Sequence, residues 1–446
     1  MDRDSVEPQV SGFPGDGARR FVDYHHRFAA PSTYVYEFVW DHTAPAIGPF
    51  CTDVDGNVLM DFTGHVGAMP LGYNNPKILD PLAEFDLVDP LKIAGQDFYV
   101  RAGSDTTTDP DIPGPAGLME RLTDISSHYG MDTVFLSNTG AEAVENAIKI
   151  AYDHTEGQYA ITAEGAFHGR TLGALSLNRS KGVYRREFPE IAGVHETPFC
   201  TDRACTPETC DCGFFFDDTS WLRQMLADGG AVDPDHVAYL ILEPVQGEGG
   251  YRFPSDAFAE EIAALAGTHD IPLVVDEVQS GLGRTGEMWA SDHYPIEPDV
   301  IASAKALRVG ATIAREEVFP DEKSRLSSTW GAGDILGAAQ GALTIDAIRK
   351  YDLLDNATER GEQAKELLRA AEMPGAVDVR GKGLMLAVEW TSKECRDAVM
   401  EAALSAGLLT MGCGKKTMRL LPPLDVTERE IHLGVELLAA AAEASA

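Results

Sequence analysis

No apolar run in the sequence approaches the roughly 18 residues needed to cross a bilayer, which argues against a membrane-spanning chain. Lysine is scarce. Only 12 of the 446 residues are lysine, against 24 arginines, and the 36 basic residues face 71 acidic ones for a net charge of −35. A surface of that sign repels phosphate backbones, so nucleic-acid binding is disfavoured. The acid is spread along the chain, not gathered in a tail, and so does not read as an acidic interaction tract. Spread acid with little lysine suits a salt-rich cytoplasm, where screening tames self-repulsion; an ordinary acidic cytosolic protein is the alternative. The opening MDRDSVEPQV has no apolar core of the secretory kind, so cytoplasmic placement is expected. Seven cysteines, an odd count, argue against a disulfide framework. Internal repeats and low-complexity linkers are absent as well.

What is present is an alternation. Solid apolar runs such as Leu240-Ile241-Leu242 and Leu273-Val274-Val275 suit parallel strands covered on both faces. Strands are expected at Thr133–Ser137, Tyr159–Ala163, Val237–Leu242, Pro272–Asp276 and Val300–Ser303. Between them, Ala141–His154 places Val144, Ala147, Ile148 and Ala151 at helical spacing, and Ser255 is an N-cap for a helix carrying Phe258, Ile262 and Leu265. This implies an α/β domain with a mainly parallel sheet. The last hundred residues are richer in helix, with strand-like Leu384–Trp390 and Thr417–Leu421 between, and read as a smaller α+β domain. Asp55-Gly56-Asn57 marks a hairpin, and residues 1–20, polar and containing glycine, read as a loose arm. The expected division is 1–75 as arm and part of the small domain, 76–334 as the large domain, and 335–446 as the rest of the small domain.

The chemistry gathers at strand ends. In PLVVDEVQSGLGRTG an apolar strand ends in Asp276, where open α/β sheets bind ligands. Alone, Asp276 reads better as a surface residue capping a turn. In DVIASAKAL a second apolar strand ends in Lys305, costly there unless it has a task or a partner, though a snorkelling surface lysine fits too. Together they suggest a pyridoxal phosphate site, with the lysine forming a Schiff base and the aspartate on the pyridine nitrogen. Two further stretches agree. Thr139-Gly140-Ala141 opens a helix whose free N–H groups suit a phosphate, unless it is a plain cap. GAFHGR supplies Phe167 to stack on a flat ring and Arg170 to clamp a carboxylate, unless Phe167 is core.

On DVDGN, LGYNNPKI, TGAEAVENAIK, GAFHGRT, LEPVQGEGG, VVDEVQSGLGRTG, the strand-end lysine, SSTWG and RLLPPL, in that order from about Phe50 to Leu424, the sequence resembles the class III, or ω-amino-acid, aminotransferases of pyridoxal phosphate fold type I. The resemblance implies Lys305 as Schiff-base lysine and proton shuttle, with Asp276 on the pyridinium nitrogen. Gln279 would meet the phenolic oxygen, and Val278 and Phe167 would cover the two ring faces. Thr139, Gly140 and Ala141 would cradle the phosphate. His168 joins the cofactor-binding set and Glu243 is a supporting acid. Thr329 matches a phosphate ligand lent by a neighbouring subunit, which implies a homodimer or a dimer of dimers. Glu248 matches an acid that pairs with a movable arginine, here Arg419. Opening that pair would admit the α-carboxylate of glutamate; a fixed structural ion pair is the alternative.

The implied reaction moves the amino group of a 4-aminobutyrate-like donor to 2-oxoglutarate. A lysine 6-aminotransferase, or a racemase or aminomutase on the same scaffold, would share Lys305 and Asp276. Arg170 is similar to the carboxylate clamp of the 4-aminobutyrate and lysine 6-aminotransferases. GCGKKTMRLLPPL resembles the former, SRLSSTWG the latter, and KIAGQDFYV archaeal members. KALRVGAT departs from the usual glycine-rich run after the lysine, and Leu421 stands where a second arginine is usual. Thr139 and Glu142 occupy the positions of the CxxC that mammalian-type 4-aminobutyrate enzymes carry, so no iron–sulfur cluster is expected there. Cys200, Cys205, Cys210 and Cys212 instead form C-x4-C-x4-C-x-C, which reads as a Zn²⁺ site or as an ordinary reduced cysteine-rich loop.

The charge makes a direct prediction. With −35 on the chain, moving from molar to millimolar salt should lower the melting temperature, because screening between like charges is lost. Equal melting at both would show that the acidic surface is no adaptation to salt.

Overall fold

The computed structural model describes residues 1–30, 38–85, 100, 113–201, 205–330 and 332–446. KIAGQDFYV therefore lies outside the described residues apart from Val100. The chain divides into two compact units, Met1–Leu79 with Asp355–Ala446, and Asp80–Leu354.

The larger unit is built on a seven-stranded sheet. Its spatial order is Thr133–Ser137, Gly310–Ala314, Val300–Ser303, Leu273–Asp276, Val237–Leu242, Tyr159–Ala163 and Val194–Thr197. The pairings that join the last five of these strands are parallel. Gly310–Ala314 alone runs against both its neighbours. The turn after Lys305 explains it: Arg308 sits in the left-handed region at φ 66° and sends the chain straight back, pairing Ser303 with Ala311.

Solid apolar strands need cover on both faces, and alternate residues find it. Ile161, Leu240, Leu242, Leu273 and Val275 pack on one face with Phe258, Ile262 and Leu265 of helix Asp256–His269. Ala160, Tyr239, Ile241, Val274 and Val300 pack on the other with Val144, Ala147 and Ile148 of helix Gly140–Thr155. Fully burying each large side chain contributes about 1.5–3 kcal/mol, so both strand faces hold the layers together. Ser255 caps its helix by accepting from the Phe258 N–H at 3.1 Å.

The smaller unit has a four-stranded antiparallel sheet ordered Ala376–Lys382, Met385–Trp390, Thr417–Leu420, Met411–Cys413. The hairpin at Asp55-Gly56-Asn57 joins Phe50–Thr52 to Val58–Asp61. Its turn is held by Asp53 Oδ1, which accepts from Asn57 N at 2.7 Å and Asp55 N at 3.0 Å.

Residues 1–20 are not a loose arm. Arg3 donates from Nε to Glu430 Oε1 at 2.7 Å and from Nη1 to Asp425 Oδ2 at 3.0 Å. Gln9 bridges to Val58, and helix Asp16–His26 starts where Asp55 accepts from Gly17 N at 2.6 Å and Ala18 N at 2.8 Å. Polar composition misled here because buried carboxylates anchor the segment together with a few apolar residues, Val10 and Phe13, which pack beside Leu59 and Leu409. Asp425 and Glu430 side chains are 5% and 1% exposed, and such groups require a cationic partner.

Candidate active site

The parallel strands deliver their C-terminal ends to one edge of the sheet, the edge at which such sheets bind ligands. Asp276 closes Leu273–Asp276, Lys305 follows Val300–Ser303, and Glu243 follows Val237–Leu242. Phe167 and His168 lie in the turn after Tyr159–Ala163, and Thr139 and Gly140 follow Thr133–Ser137.

Asp276 is buried, and its carboxylate is satisfied on both oxygens. Oδ2 lies 2.8 Å from His168 Nδ1, and Oδ1 accepts from Val278 N at 3.0 Å. The Lys305 N–H donates to Val278 O at 3.4 Å, which ties the lysine's backbone to the same turn. His168 is fixed from behind, its N–H donating to Asn178 Oδ1 at 2.7 Å. Its Nε2 is buried and makes no hydrogen bond among the described residues.

Glu243 braces the turn that carries the aromatic. Oε1 accepts from Phe167 N at 2.9 Å and Oε2 from Gly247 N at 2.8 Å. Burial pushes this carboxyl up to about 7; His168 opposes the shift and Asp276 adds to it. Gly247 is a close approach, since a Cβ there would lie 2.5 Å from Gln279 Oε1.

Helix Gly140–Thr155 is capped by Thr139, whose side chain accepts from Glu142 N at 3.2 Å. A Cβ on Gly140 would fall 2.6 Å from Val278 Cγ1, so only glycine lets the helix start this close to the Asp276 turn. The leading N–H groups of a helix have no intrahelical acceptor and favour an anion. Thr329 is exposed and receives Asn138 Nδ2 of the same chain at 3.1 Å on Oγ1.

A second cluster surrounds Tyr184. The Arg170 guanidinium lies 4.5 Å from its ring centre and 5.5 Å from that of Phe167. Glu248 Oε1 accepts from Lys181 Nζ at 2.5 Å and from the Tyr184 hydroxyl at 2.8 Å. Lys181 and Tyr184 escaped the sequence reading, for they lie in a short 3-10 turn with no apolar periodicity to flag them. Arg419 belongs to the other unit. It is buried on Thr417–Leu420, with Nη2 3.0 Å from Met411 Sδ. The sulfurs of Cys200, Cys205, Cys210 and Cys212 converge to within 4.8 Å of one another.

The family model for class III aminotransferases matches residues 42–442. The chain belongs to the class III aminotransferases. It is 32% identical over 403 residues to a putrescine aminotransferase of Pectobacterium atrosepticum, covering 85% of this chain and 77% of that one. It is 32% identical over 405 residues to an acetylornithine aminotransferase of Synechocystis sp., covering 86% and 85%. The fold superposes on a lysine aminotransferase from M. tuberculosis with TM-score 0.83 and 26% identity, covering 96% of this chain and 100% of that one. This aminotransferase is thus a pyridoxal-phosphate-dependent transaminase of fold type I.

The residues present fit that cofactor. A lysine at a strand end, a buried carboxylate, an orphaned imidazole nitrogen and a helix start cleared by glycine all lie at one sheet edge. Among the described residues no helix is long and apolar enough to cross a membrane.

Glu277, next to Asp276, provides a pH test. Its Oε1 accepts from the backbone and hydroxyl of Ser291, both at 2.8 Å, and Oε2 from Ser280 Oγ at 2.6 Å. Burial pushes it up to about 7. Between about 4.5 and about 7 the folded state then keeps a proton that the unfolded state has lost, so this group's contribution falls as pH rises through that window. Glu277→Gln can satisfy the same serines and should flatten the melting profile between pH 5 and pH 8. An unchanged profile would show that Glu277 titrates normally.

Proposed function

We propose that this enzyme transfers the amino group of a 4-aminobutyrate-like ω-amino acid to 2-oxoglutarate, giving a semialdehyde and glutamate. Arg170 is the observation that carries the reading. Its guanidinium is exposed, held over two aromatic rings, and has no carboxylate partner among the described residues. Ring faces orient a guanidinium without neutralising it, leaving its planar fork open to a carboxylate. Lys181 helps by occupying Glu248, which also touches Tyr184 and would otherwise compete for Arg170.

When bound, pyridoxal phosphate supplies the electron sink that makes the proton on the amine-bearing carbon removable. The protein's part is to position and to move protons. Lys305 Nζ would take the proton from that carbon, and Asp276, oriented by His168 and the Val278 N–H, would hold the ring nitrogen. Phe167 and Val278 would cover the ring faces, Gln279 would meet the phenolic oxygen, and the Thr139–Ala141 turn would hold the phosphate. Arg170 anchors the remote carboxylate of the donor, and Arg419 the α-carboxylate of glutamate. Thr329 is the residue lent to the neighbouring subunit of a homodimer or dimer of dimers, in a salt-rich cytoplasm.

A lysine 6-aminotransferase is the second reading, supported by the likeness to the lysine aminotransferase, whose donor also sets an amine far from its carboxylate. Putrescine, for which one relative is named, has no carboxylate for Arg170 to hold. A racemase or aminomutase would turn over its amino acid without consuming a keto acid.

A charge-assisted hydrogen bond is worth about 1.5–3 kcal/mol, roughly one to two decades in rate. Arg170→Ala should slow the ω-amine half-reaction by that factor and spare the glutamate half-reaction; Arg419→Ala should do the reverse. Single-turnover absorbance reads each half alone. Equal losses in both halves for both variants would contradict these roles.

A further inference from the structure

We propose that Cys200, Cys205, Cys210 and Cys212 form a closed four-thiolate site for one Zn²⁺ ion, which staples the segment beyond the edge strand onto the core of the larger unit. The proposal does not depend on the substrate reading.

The geometry comes first. All four sulfurs lie within 4.8 Å of one another. A tetrahedral ion with Zn–S bonds of about 2.3 Å needs sulfurs about 3.8 Å apart; Cys210 and Cys212 Sγ, now 3.0 Å apart, open and the wider pairs, none beyond 4.8 Å, close to reach it. Two disulfides would require only that sulfurs meet in pairs. Here four converge on one point, from a segment of 13 residues. The Phe215 N–H points at Cys210 Sγ at 3.4 Å, as an amide does toward a sulfur carrying negative charge.

The ligand set selects the ion. Four thiolates with no imidazole or carboxylate favour a soft tetrahedral metal and leave no position for water, the form of a structural and not a catalytic site. Cys200 and Cys205 are buried while Cys212 is exposed, so the ion would enter from the solvent side.

The setting gives the ion its task. Residues 205–213 form no helix or strand. Both ends of the segment pack on one residue: the rings of Phe199 and Phe214 lie 4.9 and 4.6 Å from Phe258. Cys200 O accepts from Ser255 N at 2.9 Å, where helix Asp256–His269 begins. Phe199 O accepts from Arg252 Nη2 at 2.9 Å, and Arg252 Nη1 donates to Glu164 O at 3.2 Å. Glu164 opens the turn that carries Phe167 and His168. An ion closing the loop removes the entropy of an otherwise unsupported segment and fixes that brace.

The test uses holoenzyme purified under reducing conditions. Elemental analysis should find about one zinc per chain. Cys212→Ser, which removes a ligand at the surface, should lose the zinc on dialysis and melt at lower temperature. Cys395→Ser, outside the cluster, should keep both. If the serine variant fails to fold, Co²⁺ titration of metal-stripped wild type should give the strong absorption of a tetrahedral cobalt–thiolate site. Four outcomes would overturn the proposal: stoichiometric iron, two disulfides in the native protein, no uptake of Zn²⁺ or Co²⁺, or a Cys212→Ser protein that retains zinc.

Discussion

The active-site edge depends on keeping one buried carboxylate satisfied. Asp276 ends a central strand with its side chain out of water, a position that is costly without donors. His168 and the Val278 N–H supply them, and each is in turn fixed: His168 by Asn178, and Val278 by the Lys305 N–H on its carbonyl. The aspartate, the imidazole and the lysine's backbone are thereby joined. Glu243 extends the frame by holding Phe167 and Gly247, and Glu277 does the same for the turn at Ser280 and Ser291. Three adjoining buried acids are therefore structural hubs as well as sources of negative charge.

Much of this was legible in the sequence. Four of the five expected strands have their observed bounds, and the fifth begins one residue later, because a solid apolar run between helices has one stable solution. The strand-end residues were legible for the same reason: a run that stops at Asp276 or Lys305 marks the sheet edge without any coordinate. The strand Gly310–Ala314 was not read, since its direction depends on a left-handed turn at Arg308, a residue with no such signature. Lys181 and Tyr184 were missed because they act through side chains that meet only in space. The arm at residues 1–20 was misread because a few specific contacts, of Arg3 with Asp425 and Glu430, of Asp55 with the helix start, and of Val10 and Phe13 with the core, outweigh a polar composition. The four cysteines were visible as a spacing, but a spacing cannot say whether the sulfurs converge.

Specificity follows from how cations are shared. Exposed charge pairs contribute little, whereas a half-buried pair fixes which groups remain open. Lys181 and the Tyr184 hydroxyl occupy Glu248, and Arg170 rests on ring faces instead of on an acid. What sets Arg170 apart is its place over the rings of Phe167 and Tyr184, beside a carboxylate that Lys181 already holds. In the proposed reading it is the feature that separates donors with a remote carboxylate from plain diamines.

That separation can be measured on the wild-type enzyme alone. Mixed with donor and no keto acid, the pyridoxal phosphate enzyme should be converted by 4-aminobutyrate at least tenfold more efficiently than by putrescine, read as the absorbance change of the bound cofactor. Putrescine reacting as well as or better than 4-aminobutyrate would contradict the role given to Arg170 and with it the proposed substrate.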